Sequence, residues 1–140
     1  MKKVIIPLLV GCLALSISAV AAVDWQNSYA PALARAKKEK KLVMVDIYAT
    51  WCLPCKQLEK ETFANKDVEA RLSNQVISVK LDLEKILDNA ELAKQFARDT
   101  IPYVVFLDSD GKKLSEFVGF LTADEFLKEL DKTHEKATKQ

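Results

Sequence analysis

The sequence predicts an α/β domain with a mixed central β-sheet flanked by helices on both faces. Three observations predict it. Helix-period and strand-period segments alternate along most of the chain, the pattern of a sheet with covering helices. Leu42-Val43-Met44-Val45-Asp46-Ile47-Tyr48 is a near-continuous apolar run rich in β-branched residues, as expected of a strand buried on both faces. Ser109-Asp110-Gly111-Lys112 is a hairpin turn signal, so the last two strands should run antiparallel.

Each element has its own reason. Trp25 to Lys41 reads as a helix, with Tyr29, Leu33 and Ala36 at helical spacing and a lysine-rich end. The strand Leu42 to Tyr48 follows. Leu53 to Phe63 reads as a second helix, its Pro54 in the first turn, where proline is tolerated, and Leu58 facing inward. Asp67 to Leu72 reads as a short helix and Val76 to Leu83 as a second strand. Asp88 to Arg98 reads as a helix, with Asp88 and Glu91 spaced as a capping box. Tyr103 to Leu107 is a third apolar strand, and the hairpin turn leads into Leu114 to Val118. Thr122 and Glu125 form a capping box for a last helix that turns Phe126, Leu127 and Leu130 inward. Trp25, Phe96, Phe106 and Phe126 are core by default, Tyr48 faces either the core or the cysteines, and His134 is solvated.

The N-terminus carries a targeting pattern. Lys2 and Lys3 form a basic start, and Val4 to Val23 is apolar or small until the first acid, Asp24. Ala19-Val20-Ala21-Ala22 ends it as a small-residue cleavage pattern, so residues 1–22 are expected to be a cleaved signal peptide and 23–140 a single domain. Two rivals stand beside that reading. Leu9-Val10-Gly11-Cys12 has the form of a lipoprotein signal lipidated at Cys12. An uncleaved stretch from Val4 to Val23 would be long enough to span a bilayer. All three export the remainder, with a bacterial periplasm as the expected compartment.

Composition excludes other classes. The chain has 21 basic and 20 acidic residues. Losing Lys2 and Lys3 leaves 19 basic against 20 acidic, and no basic patch suggests nucleic acid. Arg35 to Lys41 is a solvated helix end. Of three cysteines, losing Cys12 leaves one pair, too few for a disulfide-scaffolded mini-protein, while about 120 residues can bury an adequate core.

That pair is Cys52 and Cys55, spaced C-x-x-C between a strand and a helix. A sulfur at a helix start lies among unpaired N–H groups and the positive dipole end, which stabilise a thiolate. The second lies one turn on, where it can attack a mixed disulfide formed on the first. A redox dithiol/disulfide is the reading this favours. Zinc would need about four ligands, and beyond the pair the chain offers only Cys12 and His134, each near a terminus. A c-type haem needs His after the second Cys, where this chain has Lys56. A structural bridge over two residues would constrain little chain entropy. Cys52, nearer the helix end and expected to be the more exposed, is the nucleophile, and Cys55 resolves. Asp46 lies inside an apolar strand; burial should raise its pKa and make it a proton acceptor for Cys55, unless it is a surface residue at a strand end.

These motifs together resemble the thioredoxin-like family over nearly all of residues 23–140. Val45-Asp46-Ile47-Tyr48-Ala49 leads into Trp51-Cys52, Thr100-Ile101-Pro102 resembles the family's cis-proline loop, and Val118-Gly119-Phe120 precedes the last helix. Lys56, Glu59-Lys60 and Thr62-Phe63 make the chain most similar to the C-terminal domains of periplasmic thiol:disulfide interchange proteins of the DsbD type. The resemblance implies a thioredoxin-like fold and a protein-disulfide oxidoreductase acting through Cys52 and Cys55 with Asp46. It adds Glu59 as a second carboxylate, or a solvated helix residue. It implies a cis Pro102 that, with Ile101 and Trp51, borders the substrate site. Ile101 resembles the reducing members. Tyr103 departs from the threonine usual there, which predicts an altered groove. No metal or organic cofactor is implied beyond the redox disulfide. The implied partners are protein disulfide or dithiol clients and a separate membrane electron donor; a monomer is expected. The competing function is a non-catalytic binding module or chaperone that presents the Cys52 loop to one client, for example in cytochrome maturation.

Overall fold

The computed structural model describes residues 22–139. Cys12 and all but Ala22 of the expected targeting segment lie outside the described residues. The elements in order are α1 (Tyr29–Glu39), β1 (Leu42–Tyr48), α2 (Leu53–Gln57), α3 (Lys66–Gln75), β2 (Val76–Asp82), α4 (Leu83–Leu87), α5 (Ala90–Phe96), β3 (Tyr103–Leu107), β4 (Lys113–Val118) and α6 (Ala123–Thr138). The sheet order is β2-β1-β3-β4, with β1 parallel to β2 and antiparallel to β3, and β4 antiparallel to β3. The sheet is therefore mixed, as the closing hairpin predicts.

Alternation along β1 builds two cores. Val43, Val45 and Ile47 face α1 and α5, packing with Ala32, Ala36, Phe96 and Val105. Met44 faces the opposite side, with Leu58, Phe63, Leu72, Phe106 and Phe126. Helices thus cover both faces. Among the described residues no helix is long and apolar enough to cross a membrane.

Several boundaries move for physical reasons. α1 begins at Tyr29 instead of Trp25, because Gln26 takes a parallel bridge to Val79 on the edge strand. Its N–H donates to the Ser78 carbonyl, and its own carbonyl accepts from Lys80, both at 2.8 Å. Trp25 is consequently half-buried, resting against Phe63 at 5.1 Å between ring centroids. The helix after the cysteines widens into a π-helical turn over Leu58–Phe63, with the Ala64 N–H on the Glu59 carbonyl at 3.1 Å.

The helix expected over Asp88 to Arg98 is present as the shorter α5, and an unforeseen helix, α4, precedes it over Leu83–Leu87. Asp88 is already the C-cap of α4, so capping of α5 falls to Asn89, which accepts from the N–H groups of Glu91 and Leu92 at 3.1 Å. The Asp88–Glu91 box does not form. The Thr122–Glu125 box does. His134 is half-buried where solvation was expected; its Nε2 is buried without a hydrogen-bond partner, and burial, then the Arg71 charge, lowers its pKa.

Candidate active site

Cys52 is the N-cap of α2, and Pro54 occupies the first turn. The Cys52 N–H reaches back to the Ala49 carbonyl at 3.1 Å, and the Lys56 N–H closes the first turn on the Cys52 carbonyl at 3.2 Å. This places the Cys52 sulfur among the helix's free N–H groups, and it accepts from the Cys55 N–H at 3.2 Å. The two cysteines form a disulfide, with Cα atoms 5.3 Å apart.

Exposure does not distinguish the two cysteines. Cys52 is 4% exposed and Cys55 7%, against the expectation that Cys52 would be the more open. Tyr48, Ala49 and Ile101 pack over the bridge and close it in. The helix-cap position alone marks Cys52 as the sulfur better placed to carry negative charge. Around this recessed disulfide stand two apolar side chains in the open, Trp51 (62% exposed) and Leu53 (75%). The Trp51 indole N–H donates to Glu84 of α4 at 3.1 Å, so the short unforeseen helix fixes the tryptophan.

The Ile101–Pro102 bond is cis, as the motif predicts. Ile101 touches the cysteine cluster, and the Pro102 carbonyl accepts from the Gly119 N–H at 2.8 Å. Gly119 holds φ +90°, a left-handed conformation that favours glycine. The Val118-Gly119 turn thereby reaches the proline loop.

Asp46 is 3% exposed. Its side chain lies on the β1 face between Met44, which packs with Leu58 and Phe63, and Tyr48, which packs on the cysteines. It is therefore beneath the active-site helix. Its Oδ1 has no hydrogen-bond partner in the fold. Burial pushes its pKa up from the ordinary 3.8 to about 7; Lys80 opposes the rise and Glu59 adds to it.

Lys80 stands opposite Asp46 in the β1–β2 register. Its ammonium makes an ion pair with Glu59 at 2.9 Å and lies 4.8 Å from the Tyr48 ring centroid and 5.6 Å from that of Trp25. Glu59 itself is more than half exposed, so the three charges run from the buried carboxyl to solvent. Lys80 is absent from the residues that sequence reasoning selected. Its one signal was a lysine in an otherwise apolar stretch of strand; which residue it opposes depends on register.

The charges predict opposite effects on Asp46. Lys80→Met should raise the Asp46 pKa further, and Glu59→Gln should lower it. The check is an NMR titration of the Asp46 carboxyl carbon in each variant. Shifts of the same sign would mean that Lys80 acts through packing instead of charge.

Among the described residues no group of three or more His, Cys, Asp or Glu side chains is arranged to hold a metal. The groups the fold brings together are the two sulfurs and a buried carboxyl.

Comparison with known proteins gives concordant matches. The family model for a thioredoxin-like domain matches residues 29–134. A thiol:disulfide interchange protein DsbD from Colwellia psychrerythraea is 40% identical over 96 residues, covering 66% of this chain and 16% of that protein. This chain thus spans about a sixth of the length of that curated relative. The reduced C-terminal domain of DsbD from Neisseria meningitidis superposes with TM-score 0.62 at 26% identity, covering 74% of this chain and 91% of that one. A thioredoxin from Thermus thermophilus shares the fold, with TM-score 0.69 at 24% identity over 79% of this chain and 86% of that chain.

Proposed function

Because this chain belongs to the family of thioredoxin-like domains, we propose that it is a protein thiol:disulfide oxidoreductase working in the periplasm as a reductant. The observation that carries this reading is the Cys52–Cys55 disulfide at a helix N-cap, above a buried carboxyl displaced toward neutrality. Resemblance to the DsbD C-terminal domains supports the direction.

The reaction begins with the dithiol form. The Cys52 thiolate attacks one sulfur of a client disulfide, and the client's other sulfur leaves as a thiolate and takes a proton. A mixed disulfide joins Cys52 to the client. Asp46, as carboxylate, takes the proton from the Cys55 thiol, and the resulting thiolate attacks the Cys52 sulfur. The client departs with both thiols, reduced by two electrons, and the protein is left in the disulfide form seen here. A separate membrane-borne dithiol donor then returns two electrons. Trp51, Ile101 and Pro102 border the surface on which the client lies. Residues 23–140 act as one monomeric domain after export directed by residues 1–22.

A measured reduction potential tests this. A value near about −270 mV, that of thioredoxin, is expected, whereas one near about −120 mV would make the protein an oxidant. Failure of the reduced protein to reduce any protein disulfide would favour a binding module.

A further inference from the structure

Tyr103 directly follows the cis proline, at the position where the thioredoxin-like motif usually has threonine. The residue is 1% exposed, its ring part of the core on the α1 face of the sheet. Its hydroxyl reaches the margin of that core and meets two charged side chains. It donates to the Glu116 carboxylate on β4, and it accepts from the Arg98 guanidinium at 3.2 Å. The guanidinium also lies over the Tyr103 ring, 4.6 Å from its centroid, and binds the Ala97 carbonyl at 2.8 Å. Lys113 completes the set with an ion pair to Glu116 at 3.1 Å.

The phenol is a stable donor. Burial first, then the Glu116 hydrogen bond, pushes its pKa up to about 12, while its hydrogen bond and then Lys113 lower that of Glu116. A proton shared this way keeps its sense across the neutral range. Arg98 belongs to the loop 97–102 that joins α5 to β3, and that loop carries Ile101, which packs on the cysteines. Tyr103 is therefore tied to both sides of the loop: by backbone to Pro102, and through Arg98 to the loop's other end. A threonine has neither the ring for Arg98 to stack on nor the reach to span to β4.

We propose that Tyr103 is a positioning residue for client exchange: with Arg98 and Glu116 it clamps loop 97–102 so that Ile101 stays aligned beside Cys52. This rests on the thiol:disulfide reading above. A client that lies along the loop needs that alignment; a small disulfide, which needs only the Cys52 sulfur, does not.

Tyr103→Phe keeps the ring and removes both hydroxyl bonds, and two substrates separate positioning from general damage. The reduced variant should react about tenfold more slowly with an oxidised cyclic peptide, yet within about twofold of the parent with dithiodipyridine. Glu116→Gln, which keeps a neutral acceptor, should show a smaller loss. Amide hydrogen exchange across residues 98–101 should quicken about tenfold in Tyr103→Phe. Equal slowing on both substrates, no slowing on either, or unchanged amide exchange would overturn the clamp. If the unmodified protein reacts with dithiodipyridine but with no peptide disulfide, the functional reading fails. The amide exchange then decides the clamp by itself.

Discussion

Asp46→Asn is expected to stabilise the fold above neutral pH and to slow disulfide exchange at the same time. In the folded protein the Asp46 pKa rises from 3.8 to about 7, so between these values the native state holds a proton that the unfolded chain has released. The contribution of Asp46 to stability is therefore most favourable below about pH 4 and falls as pH rises toward 7. Above that the carboxylate is buried charged, at a cost of about 4 kcal/mol by the size of the displacement. The amide removes that charge but leaves a polar group without partners, which costs about 1–3 kcal/mol. The net effect should be a gain of about 2 kcal/mol at pH 8 that turns into a loss of about 2 kcal/mol near pH 4. Urea unfolding at the two pH values checks it; an equal effect at both would mean that the residue acts through shape alone. Mixed-disulfide resolution should slow by about 100-fold or more, the usual worth of a general base. A stabilised variant with unchanged resolution would leave Asp46 a structural acid only.

Cys55→Ser should divide the reaction at its midpoint. The Cys52 thiolate still opens a client disulfide, but nothing within the protein can release the adduct. Turnover should fall by at least about 1,000-fold while a covalent complex through Cys52 accumulates on a non-reducing gel. Cys52→Ser should give no adduct at all. An adduct formed in Cys52→Ser and absent from Cys55→Ser would reverse the assigned roles, and equal yields would erase the distinction between them. The helix-cap hydrogen bond to the Cys52 sulfur argues against that reversal.

The parts of the site that depend on neighbours in sequence were legible before the structure. The cysteine spacing, the proline in the first turn of α2 and the aspartate in an apolar strand all state their chemistry locally. So does Thr122, whose cap needs only Glu125 three residues on. Lys80 was hidden because its meaning comes from the strand beside it: only the pairing of β1 with β2 sets it against Asp46. Glu84 was hidden likewise, since its bond to Trp51 spans 33 positions. The helix expected over 88–98 is present but starts one cap later, a close choice between the adjacent residues Asp88 and Asn89. The turn at Leu58–Phe63 carries no proline or glycine to announce it. The relative exposure of the cysteines depended on Ile101 and Tyr48, which fold over them from elsewhere.

The pairing of Asp46 with Lys80 also bears on how the chain finds its sheet. Apolar strands such as β1 and β2 offer many near-equivalent alignments, because one valine packs about as well as the next. A slip of one residue would send Lys80 to the opposite face and abandon the carboxylate in a core without a cation. A slip of two would keep the faces but set Asp46 against Ser78 or against a second acid, Asp82. Only the native alignment gives the buried charge a counter-ion. The Asp46–Lys80 register therefore sets a penalty on each misaligned sheet.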